Sequence, residues 1–176
     1  FLLGIASIAA AIKYTVGKSA YGYSGLGDLF VFLFFGLLSV VGSYFLYTKQ
    51  LNVYVFLPAI SIGLLSTAVL NLNNMRDHQS DKVSGKNTLV VRMGVERAKI
   101  YHYLLLITAY IGFTFSTIAV LSPNSIFLVL AFVFLIPHIQ RVRKVEDYRN
   151  LDGELKKIAL FCFVLSVVSF TIAFLK

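Results

Sequence analysis

The stretch Asn73-Asn74-Met75-Arg76-Asp77-His78-Gln79-Ser80-Asp81-Lys82 directly follows a run of about twenty mostly apolar residues. Polar residues at a membrane boundary commonly mark function. If the stretch is helical, Asn73, Asp77 and Asp81 stand at i, i+4 and i+8 on nearly one face. Carboxylates one turn apart suit a divalent ion of the magnesium type. Such an ion prefers oxygen ligands and takes the rest of its shell from water and substrate phosphates. Arg76, Lys82, Lys86 and Arg92 ring these acids, and together with the metal they can hold a phosphate-rich substrate. The plainer alternative is two solvated acids paired with Arg76 and Lys82. The position at the end of an apolar run, with two asparagines alongside, favours the metal.

Two neighbouring segments bear on the same chemistry. Gly85-Lys86-Asn87-Thr88 superficially matches a phosphate-binding loop. Ser80 stands where the first glycine is needed, however, Asn87 follows the lysine, and no strand–loop–helix context exists. A turn at Gly85 that presents Lys86 and Thr88 to an anion survives, as does a basic loop that meets anionic headgroups. The segment from Lys13 to Asp28 carries Tyr14, Lys18, Tyr21, Tyr23 and the glycines Gly17, Gly22, Gly25 and Gly27. Glycines allow a close-packed loop. The tyrosines could stack on a planar aromatic acceptor or face a cation, or simply sit at headgroup level. His78 reads as a solvated side chain, His102 and His138 as interfacial, and Cys162 as packing.

These residues need elements to position them. Apolar runs cover residues 26–47, 53–72, 100–121, 126–139 and 158–175, each near the length that crosses a bilayer. The fourth is short and contains Pro137. Residues 1–12 read as the tail of a sixth. Hydrophobic residues make up 58% of the 176-residue chain, and mean hydropathy is +0.81, beyond the range of a soluble domain of this size. The connections 49–52 and 122–125 are so short that they force antiparallel neighbours. The class is therefore an all-α, multi-span transmembrane bundle forming one domain over residues 1–176.

Charge supplies the orientation. Net charge is +8, and fourteen of the sixteen Lys and Arg fall in 13–25, 73–99 and 140–157, leaving only Lys49 and Lys176 on the other side. The positive-inside rule makes the first side cytoplasmic. All eight acids lie there too, counting Asp28 at the mouth of its helix. Because the basic charge lies between apolar runs rather than on a solvated domain, nucleic acid is set aside. The chain opens at Phe1 inside an apolar stretch, with neither an initiator methionine nor a leader with a cleavage site. That predicts further membrane helices before Phe1.

The pattern Asn73-Asn74-x-Arg76-Asp77-x-x-x-Asp81-x-x-x-Gly85-Lys86-x-Thr88-Leu89-x-Val91-Arg92-x-Gly94 resembles the second aspartate-rich motif of the UbiA-superfamily membrane prenyltransferases. Its form is that of the members that prenylate 1,4-dihydroxy-2-naphthoate in menaquinone synthesis. Tyr14-Thr15-Val16-Gly17, then Tyr21-Gly22-Tyr23-x-Gly25-Leu26-Gly27-Asp28 and the run to Gly36, is similar to the same members, in the same order. The resemblance covers nearly the whole chain. It implies a nine-helix bundle, of which this chain holds the last five helices and part of another, in the cell (inner) membrane. It implies Mg2+ as cofactor, with Asp77 and Asp81 as catalytic metal ligands. Asn73, Asn74, Arg76, Lys82, Lys86, Lys18 and Tyr14 would bind substrate.

The implied reaction is transfer of a polyprenyl group from polyprenyl diphosphate to 1,4-dihydroxy-2-naphthoate, with loss of the ring carboxylate. Many relatives carry a third acid in this motif, whereas Asn73 and Gly85 occupy the flanking turns here. The first motif, NDxxDxxxD, is absent and is expected before Phe1, so this piece alone is expected to be inactive. Prenyl transfer to 4-hydroxybenzoate or haem is the nearest alternative. A transporter fragment would need ionisable groups deep inside its helices, and the five runs hold almost none. A CDP-alcohol phosphotransferase would need DGxxAR, and Lys82 follows Asp81 where glycine is required.

Overall fold

The computed structural model describes residues 2–15, 21–121 and 123–175. Among them all regular structure is helical. Helix α1 (Leu2–Thr15) precedes the first of five helices long and apolar enough to cross a membrane. These are α2 (Gly27–Thr48), α3 (Val53–Val83), α5 (Val95–Ala119), α6 (Ser125–Lys144) and α7 (Tyr148–Phe174). A short helix, α4 (Leu89–Met93), lies between α3 and α5.

Helix α3 is the axis of the bundle and packs against α2, α5 and α7. Its approach to α2 depends on two glycines. A Cβ on Gly36 would lie 2.6 Å from the Gly63 Cα and 2.7 Å from the Ala59 carbonyl oxygen. Small residues of this kind let membrane helices bring their backbones together. Leu65, Ala68, Leu72 and Met75 of α3 meet Leu105, Leu106 and Ala109 of α5 and Ile158 of α7 in one apolar core. Large apolar side chains such as Phe134, Phe163 and Phe170 point outward. Such a surface is stable against lipid and not against water.

Helix length explains the placement of the polar stretch. At 1.5 Å per residue, α3 is about 46 Å long, against a hydrocarbon core of about 30 Å. The turns after Leu72 therefore project beyond the hydrocarbon if Val53 marks the opposite boundary. The other basic segments behave alike. Residues 140–144, expected in a loop, continue α6, and Lys156 and Lys157 ride on α7. Pro137 does not end its run. It occupies the first turn of the regular α-helical part of α6, where its missing N–H costs nothing.

His102 and His138, expected at the interface, are turned inward: they are 0% and 2% exposed, between α5, α6 and α7. Their Nε2 atoms lie 2.9 Å apart, and His138 Nδ1 lies 2.8 Å from Glu154 Oε2. Their pairing was not legible because they lie 36 residues apart on different helices.

Candidate functional site

The polar stretch is helical throughout, as its spacing predicts, because α3 runs unbroken to Val83. It stops by a glycine-dependent device. Gly85 adopts φ +74, the Lys86 N–H donates to the Asp81 carbonyl at 2.9 Å, and the Gly85 N–H donates to the Lys82 carbonyl at 3.3 Å. These paired bonds close the last turn and reverse the chain. The reversal carries Lys86 back over α3, where its Nζ lies 3.0 Å from Asp81 Oδ1.

Arg76 organises the other carboxylate. Its Nε and Nη2 donate to both oxygens of Asp77 at 2.8 Å, a fork-on-fork pair. Nη2 also donates to Asn73 Oδ1 at 2.8 Å, and Nη1 donates to Asp152 Oδ1 at 2.9 Å. Asn73, Arg76 and Asp77 therefore form one unit with the first turn of α7. Asp81 is nearly buried at 5% exposure, while Asp77 and Arg76 are half-buried. The Lys86 ammonium is held above its ordinary value by its bond to Asp81, which stabilises the charged form.

The glycine- and tyrosine-bearing segment closes over this end of α3. The Asn87 N–H donates to the Tyr23 carbonyl at 2.9 Å, and Arg92 Nη2 donates to the Ser24 carbonyl at 2.7 Å. Lys86 Nζ stands 5.5 Å from the centre of the Tyr23 ring, so one tyrosine does face a cation. Gly25, at φ +77, has no room for a side chain, because a Cβ would meet the Arg92 guanidinium at 3.1 Å. Tyr14 lies against the Gly22–Gly27 turn. A Cβ on Gly22 would lie 2.7 Å from its carbonyl oxygen, and one on Gly27 would lie 3.4 Å from its hydroxyl. Lys18 lies outside the described residues.

Of the other expected members, Lys82 is exposed and Asn74 is buried. Thr88 does not present its hydroxyl to an open site. It is buried and caps α4 by accepting the Val91 N–H at 3.3 Å. His78 is half-buried, with Nδ1 2.8 Å from the Met75 carbonyl oxygen and its ring edge-on to Tyr148. Sequence reasoning missed Asp152 and Tyr148. Asp152 lies 76 positions from Arg76. Its only local signal is the i, i+4 partner Lys156, whose Nζ is 2.7 Å away.

Two clefts border the unit. A polar one of about 320 Å³ is lined by Arg76, Asp77, Tyr148 and Arg149. An apolar one of about 510 Å³ lies between α2, α3 and α7, lined by Phe35, Ser66, Leu70, Asn73, Cys162 and Phe163. Asn73 forms the polar end of the apolar cleft, and Asp77 follows one turn later on the same face of α3. Cys162 packs against the core, as expected, and also lines this cleft.

The donor set fits magnesium: Asp77, Asp81 and Asn73 offer only hard oxygen atoms on one helical face. Among the described residues no three His, Cys, Asp or Glu side chains gather as a ready metal cage.

The model of the UbiA prenyltransferase family matches residues 1–167. The chain is 43% identical over 169 residues to a Haemophilus influenzae protein named 1,4-dihydroxy-2-naphthoate octaprenyltransferase, covering 94% of this chain and 54% of that protein. It is 57% identical over 105 residues to the Escherichia coli protein of the same name, covering 60% of this chain and 34% of that one. The human UbiA prenyltransferase domain-containing protein 1 is 28% identical over 159 residues, covering 90% of this chain and 46% of that protein. The chain thus spans about half the length, or less, of these curated relatives. No solved structure matches.

Proposed function

The chain belongs to the UbiA prenyltransferase family, and from that membership we propose that it carries one half of a site for polyprenyl transfer to 1,4-dihydroxy-2-naphthoate. The prenyl group replaces the ring carboxylate, which leaves as carbon dioxide while diphosphate departs, so the product is the reduced, dihydroxy form of a demethylmenaquinone. The observation that carries this reading is a juxtaposition. Asn73 lines an apolar cleft of about 510 Å³, and Asp77, one turn further along α3, lines the neighbouring polar cleft. A polyprenyl diphosphate has matching parts, a charged head and a long apolar tail. The acceptor assignment draws on the names of the bacterial relatives.

The chain's residues divide the work. Asp77 and Asp81, with Asn73 alongside, would hold Mg2+, which when bound neutralises charge on the departing diphosphate. Arg76 and Lys86 stand at the same place and add fixed positive charge where the anion develops. Lys18 and Lys82 are further cations for the diphosphate, and Tyr14, Tyr23 and Asn74 complete the surroundings. Phe35, Leu70 and Phe163 line the cleft that would take the tail and keep water from the allylic cation left behind. The electron-rich naphthoate ring then attacks through carbon. The polar loops face the cytoplasm of the inner membrane, following the cation asymmetry.

The test uses the full-length protein in membranes. Transfer from labelled polyprenyl diphosphate is measured with and without Mg2+, offering 1,4-dihydroxy-2-naphthoate and 4-hydroxybenzoate side by side. Magnesium-dependent product with the naphthoate alone, abolished in Asp77→Asn/Asp81→Asn despite normal insertion, is expected. Turnover indifferent to the two aspartates would overturn the site. Product with 4-hydroxybenzoate alone would overturn the acceptor.

A further inference from the structure

We propose that Asp152 is a positioning residue for the aspartate pair, holding the Arg76 guanidinium so that Asp77 can pass from arginine to a divalent cation. This rests on the reading of Asp77 as a metal ligand.

Arg76 engages both oxygens of Asp77, each accepting at 2.8 Å. A divalent ion that takes Asp77 as a ligand competes with this fork for the carboxylate, and a bidentate arginine–carboxylate pair is the strong kind. Were Asp77 the sole acid on Arg76, loading the ion would strand a half-buried guanidinium. Asp152 changes that balance. Its Oδ1 already accepts from Nη1 at 2.9 Å, and Asn73 already accepts from Nη2. The guanidinium therefore keeps a carboxylate and an amide when Asp77 turns away, and it stays beside the place a diphosphate would occupy.

Asp152 is placed to do this. It lies in the first turn of α7, where the helix dipole favours a negative charge. Its backbone is fixed by flanking residues that do not move freely: Leu151 is 1% exposed, and Glu154 is tied to His138, Arg141 and Lys157. Its second oxygen is occupied by Lys156, which leaves Oδ1 aimed at Arg76. Such outer partners commonly set metal affinity as strongly as some ligands do.

The test is Mn2+ binding to the purified full-length protein in the presence of polyprenyl diphosphate, read by electron paramagnetic resonance, beside Mg2+ titrations of transfer. Asp152→Asn keeps the shape and removes the charge. It is expected to raise the Mn2+ and Mg2+ midpoints by roughly tenfold or more, with maximal turnover at saturating ion largely retained. Asp152→Glu is expected to restore the midpoints at least in part. A purely structural role would lower turnover at every ion concentration without moving the midpoint, and that result would overturn the proposal. Asp152→Ser serves the same reading if the asparagine variant does not insert, and unchanged midpoints in Ser would likewise overturn it. Asp77→Asn separates the underlying reading: if it binds Mn2+ as the wild type does, the metal site fails. If it loses binding while Asp152→Asn matches wild type, only the role of Asp152 falls.

Discussion

Two polar clusters sit at the same end of the bundle, and they are built in opposite ways. The first gathers Asn73, Arg76, Asp77, Asp81 and Lys86, almost all from the end of α3, with half-exposed cations on both acids. The second joins His102 of α5, His138 of α6 and Glu154 of α7, each 4% exposed or less. Their hydrogen bonding also differs in kind. With His138 giving its Nδ1 proton to Glu154, its Nε2 is left as an acceptor, so His102 must donate from Nε2. Among the described residues His102 Nδ1 then has no hydrogen-bond partner. The Arg76 and Asp77 side chains are 26% and 35% exposed, so water can take up either group while partners exchange. His138 and Glu154 are 2% and 5% exposed, so breaking their contact is costly even though Glu154 keeps Arg141 and Lys157. The first cluster can trade a cation for a ligand, whereas the second works as a clamp on three helices. Polarity near a membrane boundary marks both, and only accessibility separates them.

The largest effect expected is on catalysis at the first cluster. Asp77→Asn should cost roughly a hundredfold or more in transfer while leaving thermal stability unchanged, because Arg76 keeps Asn73 and Asp152. Transfer assays and a melting curve on the same preparation test this, and a matching fall in both would make the cluster structural. The second cluster should respond the other way. His138→Leu removes a buried partner of Glu154 and should cost about 3 kcal/mol of stability, with activity per folded molecule retained. Loss of activity without loss of stability would reverse the comparison and bring the histidines into the chemistry.

A smaller effect is expected from packing between the clusters and the membrane interior. Gly36→Val would force α2 away from Gly63 and should cost about 2 kcal/mol. It should also weaken binding of long-tailed donors more than short ones, since Phe35 and Val31 line the apolar cleft. Equal losses for all tail lengths would separate that cleft from the substrate.

The smallest effect concerns Lys86. Lys86→Met leaves Asp81 without its cation and should cost about 1 kcal/mol, the pair being discounted for the half-exposed lysine. Its pH dependence has a definite sign. The folded lysine titrates above its ordinary 10.5, so the contribution is complete below that value and is lost only as pH rises through the folded pKa. The stability gap between wild type and variant should be constant from about pH 6 to pH 9. A gap that opens within that range would point to another titrating group.

Much of the first cluster was legible because its geometry is local. Helical spacing fixes which of residues 73 to 81 share a face, and Gly85 followed by Lys86 encodes its own turn. The aspartates' partner across the bundle was not legible, since nothing near Asp152 reports that α7 begins beside Arg76. Thr88 read as an anion contact, and only the position of the Val91 N–H showed that its hydroxyl caps a helix instead. The cations of residues 140 to 157 read as a loop because charge ends an apolar run, although it does not end a helix.

The sequence by itself determined the membrane class, the helix count, the side on which charge gathers and the face that Asn73, Asp77 and Asp81 share. Those follow from composition, run length and a period of 3.6, all of which act over a few turns of chain. Only the tertiary structure decided that Arg76 bridges Asp77 to Asp152, that His102 and His138 are buried against Glu154, and that an apolar cleft ends at Asn73. Those depend on which helices pack side by side, and in a bundle of uniformly apolar helices the pairing is set by small residues such as Gly36 and Gly63, whose meeting is written in neither segment alone.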